Sequence, residues 1–76
     1  ARSMTVVDPA DIVRTAALAN AGAVIFAHNH PSGDPTPSAE DVAITQRLVD
    51  VLRLLNVRVL DSFVVAARGI RSILNP

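Results

Sequence analysis

Between Asn29 and Pro37 the chain carries Pro31, Pro35 and Pro37 with Gly33 among them, a density that neither a helix interior nor a sheet ladder accepts. What flanks this stretch makes the break sharp. Ala23-Val24-Ile25-Phe26-Ala27 before it is a continuous apolar run behind Gly22, which suits a central strand buried on both faces. Ser38-Ala39-Glu40-Asp41 after it reads as a helix start, with Ser38 as N-cap and two acids in the first turn. The middle of the chain is thereby fixed as strand, irregular loop, helix. Loops beyond strand C-termini are where open α/β sheets bind their ligands.

The other elements follow from the same signals. Met4 to Val7 is a short strand rich in β-branched residues. Asp8-Pro9-Ala10-Asp11 has the form of a helix N-terminus, and the spacing of Ile12, Ala16 and Ala19 predicts an amphipathic helix over Pro9 to Asn20, ended by Ala21-Gly22. A second helix runs from Ala39 to about Leu55, ending at Asn56, and its apolar residues form more than one stripe, so much of its circumference is expected to be covered. Val57 to Ala66 is a strand, Ala67-Arg68-Gly69 a turn and Ile70 to Leu74 a closing strand. The order β-α-β-α-β-β predicts an α/β fold, a layered sandwich. Four strands and two helices leave a sheet edge bare, so residues 1–76 are expected to form part of a domain whose N-terminal strands are missing. An uncovered edge recruits other chains, and a homo-oligomer is therefore expected.

Composition narrows the function. A chain of 76 residues holds one domain at most. There is no cysteine, which rules out disulfides and thiolate metal sites within it and fits a reducing compartment. No apolar run approaches the length of a membrane span, and residues 1–10 lack the apolar core of a signal peptide, so a cytoplasmic location is expected. Seven arginines balance seven acids, and only Phe26 and Phe63 are aromatic. A neutral chain without stacking aromatics does not look like a nucleic-acid module.

The two histidines of the chain, His28 and His30, both lie where the apolar strand ends. Residues two apart on an extended segment project from one face, and Asp41 returns a carboxylate from the start of the next helix. Two imidazoles and a carboxylate are the ligands of an open zinc site that keeps a position for water. No arginine or lysine lies from His28 to Asp41 to repel a dication. An ordinary alternative exists for part of this pattern: Ser38-x-x-Asp41 has the form of a capping box, and such boxes start many helices. The paired histidines tip the balance toward metal.

The string His28-x-His30, seven intervening residues beginning with Pro31, then Ser38-x-x-Asp41 resembles the JAMM (MPN+) metalloprotease signature. The fuller run His28-Asn29-His30-Pro31-Ser32-Gly33-Asp34-Pro35-Thr36-Pro37-Ser38, with Asp41 and Ile44-Thr45-Gln46-Arg47-Leu48, resembles the RadC family of bacterial proteins within that fold, which is of cytidine-deaminase-like type. The resemblance covers nearly the whole chain. It implies Zn²⁺ held by His28, His30 and Asp41, a water activated at the metal, and a Ser38 hydroxyl that donates to the oxyanion of an attacked amide. It implies a peptide or isopeptide substrate, and through the RadC name a competing role as a DNA-repair accessory that processes nucleic acid. A non-catalytic, metal-stabilised interaction module is the third reading.

Two departures from the family pattern bear on activity. The resemblance calls for a glutamate general base on an upstream strand, whereas the one glutamate here is Glu40. Successive helical residues point about 100° apart, so Glu40 does not share the direction of Asp41, and the base is expected on the missing N-terminal strands. This fragment is therefore expected to be a weak or inactive hydrolase. RadC-like sequences also follow the late Leu-Asp with histidine, where this chain has Ser62. Asp61 and Ser62 are read as strand-end residues outside the site. Thr45 and Gln46 are candidate supporting donors one turn after Asp41, and Arg68 and Arg71 are read as solvated.

Overall fold

The structure is a computed structural model that describes residues 8–76. It contains α1 (Pro9–Leu18), β1 (Ala23–Asn29), α2 (Ala39–Leu54), β2 (Arg58–Ala66) and β3 (Gly69–Ser72). The strand expected over Met4 to Val7 lies outside the described residues. The α/β class holds, as two helices with a three-stranded mixed sheet.

Local chemistry sets the helix limits. The Asp8 side chain accepts from the Ala10 N–H at 3.0 Å and Pro9 opens the first turn of α1, where Asp11 pairs with Arg14. The helix closes at Ala19, and Asn20 turns the chain at φ 51°. Asn56 makes the same left-handed turn after α2, at φ 58°. Asparagine tolerates that region better than most side chains, so both helices stop where the sequence places an asparagine.

The sheet order is β1-β2-β3, with β1 and β2 parallel and β2 and β3 antiparallel. A parallel pair needs a long crossover, and α2 with its loop supplies it. Ala16, Leu52 and Val57 form the buried centre, with Val13, Val24, Phe26 and Val59 packed around it. The register holds one irregularity: Val24 pairs with Val59, but Ile25 pairs with Asp61, leaving Leu60 as an extra, exposed residue in β2. Such a bulge inverts the facing of everything after it. Val57 and Val59 face the helices before it, and Ser62 and Val64 after it, with the Thr45 hydroxyl of α2 donating to Ser62 Oγ at 3.4 Å. Without the extra residue, Asp61 would enter the core.

Three expectations need correction. β1 is not buried on both faces: Ala23, Ile25 and Ala27 are exposed, because the described residues place no element over that face of the strand. α2 buries one stripe, Thr45, Leu48 and Leu52, while Val42, Val51 and Leu54 are exposed. Asp61 and Ser62 are not strand-end residues but buried ones in the middle of β2. Asp61 accepts from Ser72 Oγ (2.7 and 2.8 Å), the Ser62 N–H (2.7 Å), the Leu74 N–H (3.4 Å) and Asn75 Nδ2 (3.1 Å). It thereby fastens the segment after β3 to the sheet.

Candidate metal centre

β1 runs two residues further than the apolar pattern implies, so His28 is a strand residue, paired in register with Val64. His30 follows directly and stays in line because its N–H donates to the Val65 carbonyl at 3.0 Å. The loop then turns sharply. Gly33 adopts φ 86°, its N–H donates to the His30 carbonyl at 3.1 Å, and its own carbonyl accepts from the Arg68 N–H at 3.1 Å. An L side chain at that φ would be strained. The β2–β3 turn therefore buttresses the loop from outside.

Asp34 completes the turn. Its carboxylate accepts from the Thr36 N–H (3.0 Å) and hydroxyl (2.8 Å), an Asx-type turn. The Thr36 backbone bond, then its hydroxyl, hold the Asp34 carboxyl below the usual range. Its side chain is thus committed within the loop. Its backbone carbonyl faces inward, 3.0 Å from His30 Nδ1.

At the start of α2 the capping box forms in full: the Asp41 N–H donates to Ser38 Oγ at 3.0 Å, and the Ser38 N–H donates to Asp41 Oδ2 at 2.8 Å. This holds the Asp41 side chain back toward the loop. Burial pushes its pKa up, but the bonds from Ser38, then those with His30, outweigh burial and hold it below the ordinary value. Asp41 Oδ2 lies 2.9 Å from His30 Nε2, and Oδ1 lies 3.3 Å from His28 Nε2. The imidazole rings stand nearly perpendicular, 86° apart with centroids 5.0 Å apart. One donor atom from each of His28, His30 and Asp41 lies within 4.8 Å of the others.

Whether these residues fit a metal is decided by their lone pairs. A carbonyl only accepts, so the contact at Asp34 calls for a hydrogen on His30 Nδ1, and in the neutral ring Nε2 is then an acceptor facing a carboxylate oxygen. Two acceptors at 2.9 Å repel unless a proton or a cation stands between them. Tetrahedral zinc with ligands about 2.0–2.2 Å away spaces its donors by roughly 3.3 Å, and His28 and His30 approach the two oxygens of Asp41 to 3.3 and 2.9 Å. A carbonyl that orients the far ring nitrogen is also the usual support of a metal-binding histidine. The donor set fits zinc.

The structure therefore brings His28, His30 and Asp41 together, with Ser38 exposed at the rim. Glu40 is exposed and takes no part. Of the two supporting candidates, Thr45 is buried against Ser62, whereas Gln46 is exposed. The Asp34 carbonyl was not anticipated as a site group. The signal for it was Asp34-Pro35-Thr36, an Asx-turn sequence that fixes the backbone direction there.

A small mixed α/β domain with a three-donor site at a strand–loop–helix junction is the class that fold and site define. The chain belongs to the family of the RadC-like JAB domain, whose model matches residues 1–75. Among its relatives, the UPF0758 protein YfjY of Escherichia coli (strain K12) is 54% identical over 70 residues, covering 92% of this chain and 44% of that protein. A UPF0758 protein of Vibrio cholerae serotype O1 is 55% identical over 62 residues, 82% of this chain and 39% of its own length. One from Xanthomonas oryzae pv. oryzae is 54% identical over 59 residues, 78% of this chain and 26% of its own. The chain thus spans less than half the length of these curated relatives. No helix among the described residues is long and apolar enough to cross a membrane.

Proposed function

We propose that this domain is a zinc-dependent amide hydrolase of JAMM type acting on peptide or isopeptide bonds. The observation that carries this reading is the convergence of His28, His30 and Asp41, with His30 Nε2 2.9 Å from Asp41 Oδ2 while its far nitrogen, Nδ1, lies 3.0 Å from the Asp34 carbonyl. When bound, zinc supplies a Lewis acid and lowers the pKa of a water toward neutrality.

The residues divide the remaining work. His28, His30 and Asp41 would hold the ion, with His28 on the exposed side of the cluster. Ser38 Oγ accepts from the Asp41 N–H with one lone pair, so its own hydrogen is free to donate toward an amide oxygen as that oxygen gains charge. Proton transfer from water to the leaving nitrogen needs a further acid–base group. The Asp34 carboxylate is engaged by Thr36 and the exposed Glu40 lies outside the cluster, so among the described residues that step has no evident carrier. This observation favours, as a second reading, a metal-stabilised interaction module in which the site is structural.

Metal analysis after dialysis against a weak chelator tests the shared premise. One zinc per chain is expected, and less than a tenth of that in a His28→Ala, His30→Ala double variant. Equal zinc content in the two proteins would overturn both readings.

A further inference from the structure

A row of residues crosses the sheet at His28 and carries a charge with no role so far. His28 is the register partner of Val64, and Val64 of Arg71. Directly opposed residues share a face of a sheet, so His28, Val64 and Arg71 stand in line on the face that carries α2. Val64 is fully buried, whereas Arg71 is exposed. The other arginine of this hairpin, Arg68, has a carboxylate nearby in Asp34, whose charge it favours. Among the described residues no carboxylate forms an ion pair with Arg71.

The spacing defines what such a cation can reach. Two strand separations put the backbone of Arg71 roughly 10 Å from that of His28, and an extended arginine side chain closes much of that gap. A peptide in extended conformation advances about 3.3 Å per residue. A side chain two or three residues from an amide held at His28, His30 and Asp41 therefore falls within range of the guanidinium. A planar guanidinium matches a carboxylate through paired hydrogen bonds. We propose that Arg71 is a specificity-determining residue that binds a side-chain carboxylate of the peptide presented to the metal centre, making acidic peptides the substrate class. The inference rests on the hydrolase reading above.

Three N-acetylated peptide hydroxamates that differ only in Glu, Gln or Lys, two residues from the hydroxamate, provide the probes. Zinc uptake is measured first, in wild type and in Arg71→Gln, and is expected to be equal because Arg71 is no ligand. Binding of each peptide to the zinc-loaded chain follows. The Glu peptide is expected to bind the wild type roughly tenfold tighter than the Gln peptide, one charge-assisted pair's worth. Arg71→Gln loses the preference, Arg71→Lys keeps part of it, and Arg71→Glu shifts it toward a Lys peptide. Zinc uptake followed by equal affinity for the Glu and Gln peptides, or by no binding of either, overturns the inference and leaves the hydrolase reading standing. Absence of zinc uptake in both proteins removes the hydrolase reading and the inference together.

Discussion

Asp41 and Asp61 are both buried or half-buried carboxylates on opposite faces of one small sheet, and their surroundings differ in kind. Asp61 meets only groups that bring hydrogens: two backbone N–H groups, a hydroxyl and an amide. Asp41 receives one backbone N–H, from Ser38, and is otherwise faced by two imidazole nitrogens, His28 Nε2 and His30 Nε2, each of which is also a potential metal donor. Asp61 is held by groups with no other task, whereas Asp41 shares its contacts with two side chains that can ligate a metal. Counting hydrogens rather than contacts separates a structural carboxylate from one prepared for a cation, although both have lowered pKa values.

The bulge at Leu60 turns Asp61 away from the face on which His28 and Asp41 meet, so its removal should have the largest effect. Deleting Leu60 slides the second half of β2 by one residue, turns Asp61 into the core and moves Val64 away from the face that holds His28. The expected outcome is loss of cooperative thermal unfolding together with loss of zinc binding. A deletion variant that melts cooperatively and binds zinc normally would show that the register does not separate the two clusters.

Substituting each carboxylate in turn should give opposite results. Zinc at a hundred times its dissociation constant is expected to stabilise the wild type by about 2.7 kcal/mol. Asp41→Ala should abolish that gain, as should a strong chelator added to the wild type. Asp61→Asn replaces an acceptor with a donor facing other donors, so it should lower the melting temperature in the apo chain and leave zinc uptake unchanged. Differential scanning calorimetry with and without metal reads both effects. The comparison fails if Asp61→Asn alters zinc uptake as much as Asp41→Ala does.

Acid titration of the apo chain sharpens the same contrast. Burial raises the Asp61 pKa, but the bonds from Ser72, Asn75, Ser62 and Leu74 outweigh burial and leave it lowered. A carboxyl whose folded pKa lies below its unfolded value contributes stability in full above the unfolded value. That contribution is lost as pH falls through the folded one. Stability of the wild type should therefore fall as pH drops below the ordinary aspartate range, and this slope should be shallower in Asp61→Asn. Parallel slopes in urea unfolding at several pH values would show that Asp61 is not the group responsible.

How far the sequence could be read follows from which interactions are local. The helix caps at Asp8 and Ser38 and the stops at Asn20 and Asn56 are decided within a few residues, and the pattern shows them directly. His28 and His30 share a face because strand geometry repeats every two residues, so their pairing with Asp41 was legible too. The bulge was not, because nothing in Val59-Leu60-Asp61 distinguishes an extra residue from a regular one; only the pairing with β1 creates it. Asp61 was misread for the same reason, since Ser72, Leu74 and Asn75 reach it across the sheet. The apolar residues of α2 overstated its burial because composition does not say which stripe a partner covers.

The smallest effect concerns Ser38, where two roles of one hydroxyl must be told apart. Its oxygen caps α2, and replacing a serine cap by alanine costs about 1 kcal/mol, whereas glycine costs only a few tenths. The other half of the capping box, from the Ser38 N–H to Asp41, survives in both variants because it uses only the backbone. Ser38→Ala and Ser38→Gly should therefore differ in thermal stability while both retain zinc. Both also lack the hydrogen that would reach an amide oxygen. Any hydrolysis by the zinc-loaded chain, or by a chimera carrying the N-terminal part of a longer relative, should therefore fall by roughly 10²-fold in both alike. Ser38→Thr, which keeps oxygen and hydrogen, should recover most of the stability and the rate. If the rate instead follows stability, with glycine closer to wild type than alanine, the hydroxyl acts through the helix and Ser38 is a cap alone.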